Sequence, residues 1–233
     1  MNFIANLLRK KENKFNHIIS LGYNCEVTYR FLKYFKSEES NLFNWTYSYS
    51  IKDLTNALNN FDKIATGGFM LPNPLWECKN TNIRFHGKAN MALYINNTAT
   101  DEIIENDRKD LIERISYLKN KFLNIARDNS YKLFIYKIRD EELDKLSVQN
   151  LYNALIKIGA ENFKLLVVFQ ESCNVELKSS NEIIFRKVKY FAPDDNVTDR
   201  KYKTNGWNKI YDEFGLINSA WNKKNKKYKF ENN

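Results

Sequence analysis

The chain has 233 residues, of which 43% are hydrophobic and 15% aromatic, and its 37 Lys and Arg against 28 Asp and Glu give a formal net charge of +9. That length and apolar content support one full-sized domain with a substantial core. The 7 Gly and 3 Pro exclude a linker-rich or low-complexity chain, and three scattered Cys with two His argue against a disulfide framework or a structural zinc site.

The basic excess gathers at the ends, in Arg9, Lys10, Lys11 and Lys14 and again in Lys223, Lys224, Lys226, Lys227 and Lys229. Terminal charge runs of this kind read first as solvated tails, with a weak contact to an anionic membrane surface as the alternative. No nucleic-acid fold signature accompanies them, so no nucleic-acid partner is expected. The opening residues place their charges after a short apolar stretch, the reverse of a secretory signal, and no run approaches the roughly 18 apolar residues of a membrane span. The expected compartment is the cytoplasm.

In chain order, residues 1–14 read as a short amphipathic helix or loose arm. His17 to Leu21 is a buried strand ending at Gly22. Helical spacing then begins at Glu26, with Val27, Phe31, Tyr34 and Phe35 on one stripe and Asn24 as the N-cap. Residues 38–50 read as a polar and aromatic loop, after which Ser50 caps a helix through Leu54 and Leu58. Gly67, Gly68, Pro72 and Pro74 break the chain, and 69–95 reads as irregular or β-rich. The longest helix starts near Thr100, with Ile104, Leu111, Ile115, Leu118, Phe122 and Ile125 along one face. Tyr131–Ile138, Phe163–Phe169 and Glu182–Val188 are strands, with a helix over 147–158 stopped by Gly159. A final helix from about Gly206 carries Trp207, Ile210, Phe214, Ile217 and Trp221 on one stripe.

Alternating strands and helices around apolar strands predict an α/β fold: a single three-layer domain over 15–222 with a mainly parallel sheet, an irregular or β-rich insertion around 67–98, and a basic tail at 223–233. In such sheets ligands gather at the carboxyl ends of strands, which selects Gly22–Cys25 and the segments after Ile138 and Phe169.

Cys25 stands where the first core strand turns into a helix. A thiol there meets the unpaired N–H groups and partial positive charge of the helix end, which favour the nucleophilic thiolate. Gly22 permits the tight turn, and backbone N–H groups at Asn24–Glu26 could hold an oxyanion. A base is also required. His17 enters the same strand at its far end, so His86 is the expected partner. Cys78 and Cys173 lack the strand-to-helix setting and read as small core residues.

The segment Ile19-Ser20-Leu21-Gly22-Tyr23-Asn24-Cys25, followed by a helix and then Phe43-Asn44-Trp45, Arg84-Phe85-His86, a helix bearing Arg108 and Arg114, and Gly206-Trp207, resembles a bacterial family of unknown function described as papain-like cysteine peptidases. The resemblance spans about 17 to 215. It implies Cys25 as nucleophile and His86 as base, with Asn44 orienting the imidazole and Gly22, Asn24, Trp45, Arg84 and Arg114 binding substrate. Two acids of that family's pattern are replaced, one by Asn44 and one by Gly87.

The parallel-sheet reading lies nearer to SGNH-type hydrolases than to papain, and surface-polysaccharide acetyltransferases also carry a Cys near their first strand. The expected activity is therefore thioester-type hydrolysis or acyl transfer on a small-molecule or glycan substrate. It requires no resident cofactor or metal, and acyl-CoA is a candidate donor. Two alternatives stay open: a glycosyl or phospho-sugar transferase using Arg84, Arg108 and Arg114 on phosphate, with Asp194-Asp195 the nearest metal-binding acids; and a non-catalytic binding protein that retains the fold.

Overall fold

The structure, a computed structural model, describes residues 14–35, 40–72, 74–139, 143–193 and 206–216. The basic arm over 1–13, Asp194-Asp195, Ile217, Trp221 and the basic tail lie outside the described residues.

A four-stranded parallel sheet forms the centre, in the order β2 (His17–Ser20), β6 (Lys132–Lys137), β7 (Phe163–Gln170) and β8 (Ile183–Val188). Registers such as Ile18↔Leu133, Phe134↔Leu165 and Val167↔Phe185 run through it. Both faces are covered, as near-continuous apolar strands require. On one face Ile19, Leu21, Phe134, Tyr136, Leu165 and Val167 pack with α2 (Ile51–Asn59), α4 (Asp101–Arg127) and α5 (Lys145–Lys157). On the other, Ile18, Leu133, Ile135, Leu166 and Val168 meet α1 (Glu26–Phe35) and α6 (Trp207–Glu213). Alternate residues thus go to opposite faces, the period-2 rule acting on strands buried on both sides.

The helix starts follow the expected chemistry. Ser50 Oγ accepts from Asp53 N at 3.1 Å, and Thr100 Oγ1 caps α4 through Ile103 N. Helix α5 begins two residues before the expected Ser147, because Asp144 Oδ1 accepts from Ser147 N at 2.8 Å and serves as its cap.

Three expectations change. The 38–50 loop contains a short strand, β3 (Thr46–Tyr47), which joins β4 (Trp76–Glu77) and β5 (Arg84–Phe85) in an antiparallel sheet of order β3-β5-β4. The β-rich 69–95 stretch ends in a one-turn helix, α3 (Met91–Ile95), capped by Asn90. The last helix stops at Glu213 rather than running on to Trp221: Phe214 is extended, and β9 (Gly215–Leu216) pairs in parallel with β1 (Lys14–Phe15). Strand pairing overrides the helical stripe there, and it also takes Lys14 out of the expected arm. Among the described residues no helix is long and apolar enough to cross a membrane.

Behind the end of β2 lies a buried ion pair. Lys137 Nζ lies 3.0 Å from Glu26 Oε2, and both side chains are essentially inaccessible (2% and 0%). Glu26 Oε1 accepts from Ala192 N and Trp207 Nε1, each at 3.1 Å. Lys137 also donates to Asn24 Oδ1 at 3.3 Å and lies between the Tyr23 and Phe191 rings. Arg30 Nε stands 4.0 Å from Glu26 Oε1 and is buried as well, so one carboxylate answers two buried cations, and removing it strands both. Glu26→Gln is therefore expected to lower the unfolding free energy by about 3–5 kcal/mol. Lys137→Met, which leaves Arg30 beside the carboxylate, should cost less than Glu26→Gln; urea unfolding of the three proteins checks both.

Candidate active site

The turn after β2 is built from backbone in the left-handed region. Gly22 has φ +86° and Tyr23, a bulky residue for which such a value is an outlier, has φ 76°. Glycine is needed at 22 for space as well: a Cβ there would lie 2.6 Å from Thr46 Oγ1 and 3.4 Å from the Phe43 carbonyl. Tyr23 is held by its carbonyl accepting from Ser48 N at 3.2 Å, and its hydroxyl accepts from Arg139 Nε. Asn24 Oδ1 accepts from Glu26 N at 3.0 Å, while the Cys25 carbonyl accepts the first helical bond, from Tyr29 N at 2.8 Å. The N-cap by backbone position is therefore Cys25, with the Asn24 side chain capping from one residue earlier. One consequence is that the Glu26 N–H, among the expected oxyanion donors, already has an acceptor.

Cys25 is half-buried, whereas Cys78 and Cys173 are buried. It opens onto a cavity of about 700 Å³ whose walls include Trp45, His86 and Arg114. The other walls come from Tyr29 of α1, Ser40–Leu42, Phe85, and Ile115, Tyr117 and Leu118 of α4.

His86 reaches this cavity through the small sheet. Thr46↔Phe85 and Tyr47↔Arg84 are antiparallel partners, so one step further along the ladder Trp45 and His86 come side by side. Because β3 rests on Gly22 and is tied to Tyr23, the same ladder carries His86 towards the Cys25 turn. Helix α4 grips the histidine segment from above, with Arg114 Nη2 donating to the His86 carbonyl. Burial first, and then the positive charge of Arg114, push the His86 imidazole below its ordinary value of 6.5. It is therefore neutral at pH 7, the form that can accept a proton.

The position after His86 has its own occupant. A Cβ on Gly87 would lie 2.8 Å from Asp107 Cγ and closer still to Oδ2, so the α4 carboxylate fills the space where a side chain at 87 would begin. Asp107 is 4% exposed. It accepts from Trp76 Nε1 at 2.7 Å, Tyr94 OH at 2.6 Å, Lys88 N at 2.5 Å and Ala89 N at 2.9 Å. Burial alone would raise its carboxyl, but those four hydrogen bonds outweigh it and hold the group below the usual carboxylate value. Asp107 was not among the sequence candidates. The available signal was its place four residues before Leu111 on the buried stripe of α4, where an acid needs partners.

Of the expected site residues, the cavity brings together Cys25, Trp45, His86 and Arg114. Gly22 and Asn24 shape the turn behind Cys25 and are not among the wall residues. Asn44 is 3% exposed and does not line the cavity. Arg84 lies outside it and is engaged by Glu77 at 2.7 Å and by the Tyr49 ring at 4.3 Å. His17 stands at the opposite end of β2, its Nε2 3.9 Å from Asp128 Oδ2.

No family model matches this chain, and neither a curated protein nor a solved structure matches it.

The Gly87–Asp107 arrangement makes a direct prediction. Gly87→Asp is expected to destabilise the fold by about 2–3 kcal/mol through overpacking against Asp107. Combining it with Asp107→Ala should cost less than the sum of the single changes, by about 1 kcal/mol or more, since each change relieves the other's conflict. Thermal or urea unfolding of the four proteins gives the coupling.

Proposed function

We propose that the protein is a cysteine-nucleophile enzyme acting by acyl hydrolysis or acyl transfer. The observation that carries this reading is that Cys25, at the start of α1, and His86, two elements and a separate sheet away, line the same cavity. A neutral imidazole in that cavity suits a base that takes the thiol proton as sulfur attacks.

In the proposed cycle the Cys25 sulfur adds to the acyl carbon and His86 takes the thiol proton. The resulting imidazolium protonates the leaving group as the tetrahedral adduct collapses to a thioester. Water or an acceptor hydroxyl then loses a proton to His86 and attacks the thioester, which releases the acid or transferred ester and restores the thiol. Acyl-CoA, an ester or an amide could serve as donor in this scheme, and an acceptor on a surface glycan fits the transfer branch. At Gly87, where the resembled pattern carries an acid, the Asp107 carboxylate takes the space and braces the backbone after His86 through the Lys88 and Ala89 N–H groups.

The sugar-transferase reading has less support. Of its expected phosphate-binding arginines, Arg84 is paired with Glu77 and Arg108 with Glu105, leaving Arg114 alone at the cavity.

Selective labelling of Cys25 over the buried Cys78 and Cys173 would follow from exposure alone, so the discriminating measurement is its pH dependence. The iodoacetamide rate at Cys25 should fall only as the pH drops through the lowered His86 value, since protonation removes the base. In His86→Ala the rising limb should move towards the ordinary thiol value of about 8.5, with the rate at pH 7 reduced about tenfold. Superimposable profiles for the two proteins would overturn the pair.

A further inference from the structure

The cavity's charge balance points to a substrate class. Among the described residues that line the cavity, Arg114 is the one permanently charged side chain and no Asp or Glu is present. Three arginines elsewhere have carboxylate partners, Arg84 with Glu77, Arg108 with Glu105 and Arg186 with Glu213, whereas Arg127 and Arg139 donate to a carbonyl and to tyrosine hydroxyls away from this cavity. Arg114 forms no ion pair among the described residues, and its recorded hydrogen bond is the one from Nη2 to the His86 carbonyl. A guanidinium has five N–H donors in a planar fork, so most of its capacity remains for a ligand.

The remaining walls are chiefly apolar or aromatic: Leu42, Phe85, Ile115 and Leu118, with Trp45 and Tyr117 at 42% and 66% exposure. A volume near 700 Å³ suits a small molecule or one group of a larger one. Apolar walls around a single cation complement an apolar body bearing one negative charge. With His86 neutral, the described walls offer one cation, which matches a single negative charge rather than a phosphomonoester dianion.

We infer that the cavity selects an acyl group with an apolar or aromatic body and a single carboxylate, which the Arg114 fork holds beside Cys25 and His86. This rests on the proposed cysteine chemistry for its meaning as a substrate, but the anion site itself is defined by Arg114 and the walls. The guanidinium stands near enough to the imidazole for its charge to act on it, so a carboxylate seated there lies next to the reacting pair. Arg114 then has two tasks, holding the His86 backbone with one N–H and the ligand with the others.

The test uses ligands matched in shape. Iodoacetamide labelling of Cys25 is followed in the full chain at pH 7 with 3-phenylpropionate, 3-phenylpropanamide or phenyl phosphate as protectant. The carboxylate should protect at a concentration about tenfold or more below that of the neutral amide, the size expected of a charge-assisted pair. In Arg114→Gln that preference should vanish, and in Arg114→Lys part of it should survive. Equal protection by acid and amide, or a preference that persists in Arg114→Gln, overturns the inference. Stronger protection by phenyl phosphate overturns the choice of a carboxylate. Calorimetry of the same ligands on Cys25→Ala separates the two claims, because it needs no reactive thiol. Preferential binding of 3-phenylpropionate there upholds the anion site even if the cysteine chemistry fails, and its absence sinks the site even if the thiol proves reactive.

Discussion

The buried pair between Glu26 and Lys137 is the constraint around which the rest is arranged. A carboxylate in the first turn of a helix is favoured by the helix end, but burying it is costly unless its charge and lone pairs are met. Lys137 meets the charge from the end of β6, and Ala192 and Trp207 supply hydrogen bonds from segments far along the chain. One side chain thus ties together the start of α1, the central sheet and α6. Cys25 precedes it by one residue, so the thiol's position follows from the pair's geometry. The strained backbone at Tyr23 is held by the same neighbourhood, with Lys137 and Arg139 both against its ring.

A second assembly brings the histidine. The three short strands of the antiparallel sheet contribute little pairing of their own, since each has two residues. They hold because Phe85 and Trp76 are buried among residues that also cover the central sheet, and because α4 clamps the segment after β5. Arg114 takes the His86 carbonyl and Asp107 takes the N–H groups at 88 and 89, so one helix secures both sides of the histidine turn. Gly87 is the mark this close approach leaves in the sequence: the helix carboxylate occupies the room a side chain would need.

Much of the frame was legible in the residues. The apolar runs at 17–21, 131–138 and 163–169 are strands covered on both faces, Ser50 caps the helix it was expected to cap, and the longest helix starts beside Thr100 as expected. The strand–turn–helix setting of Cys25 was readable because it is local. What escaped is instructive. Strand β3 hides in a polar, aromatic stretch, since two residues carry no periodicity. The end of α6 depends on β1, a partner some 200 positions earlier. Lys137 closing an apolar strand and Asp107 on an apolar helix stripe were both visible anomalies, but their partners are distant in the chain.

The sequence by itself determined the α/β class, the main strands and helices, and the placing of a thiol at a helix start, because each depends on residues within a few positions of one another. Only the tertiary structure decided which groups share the cavity. It joined Cys25 with His86, Trp45 and Arg114, moved Arg84 and Asn44 out of the lining, and filled the space beside Gly87 with Asp107. Those outcomes turn on strand register and on charges seeking partners in a low-dielectric interior, and both are settled by packing between distant segments.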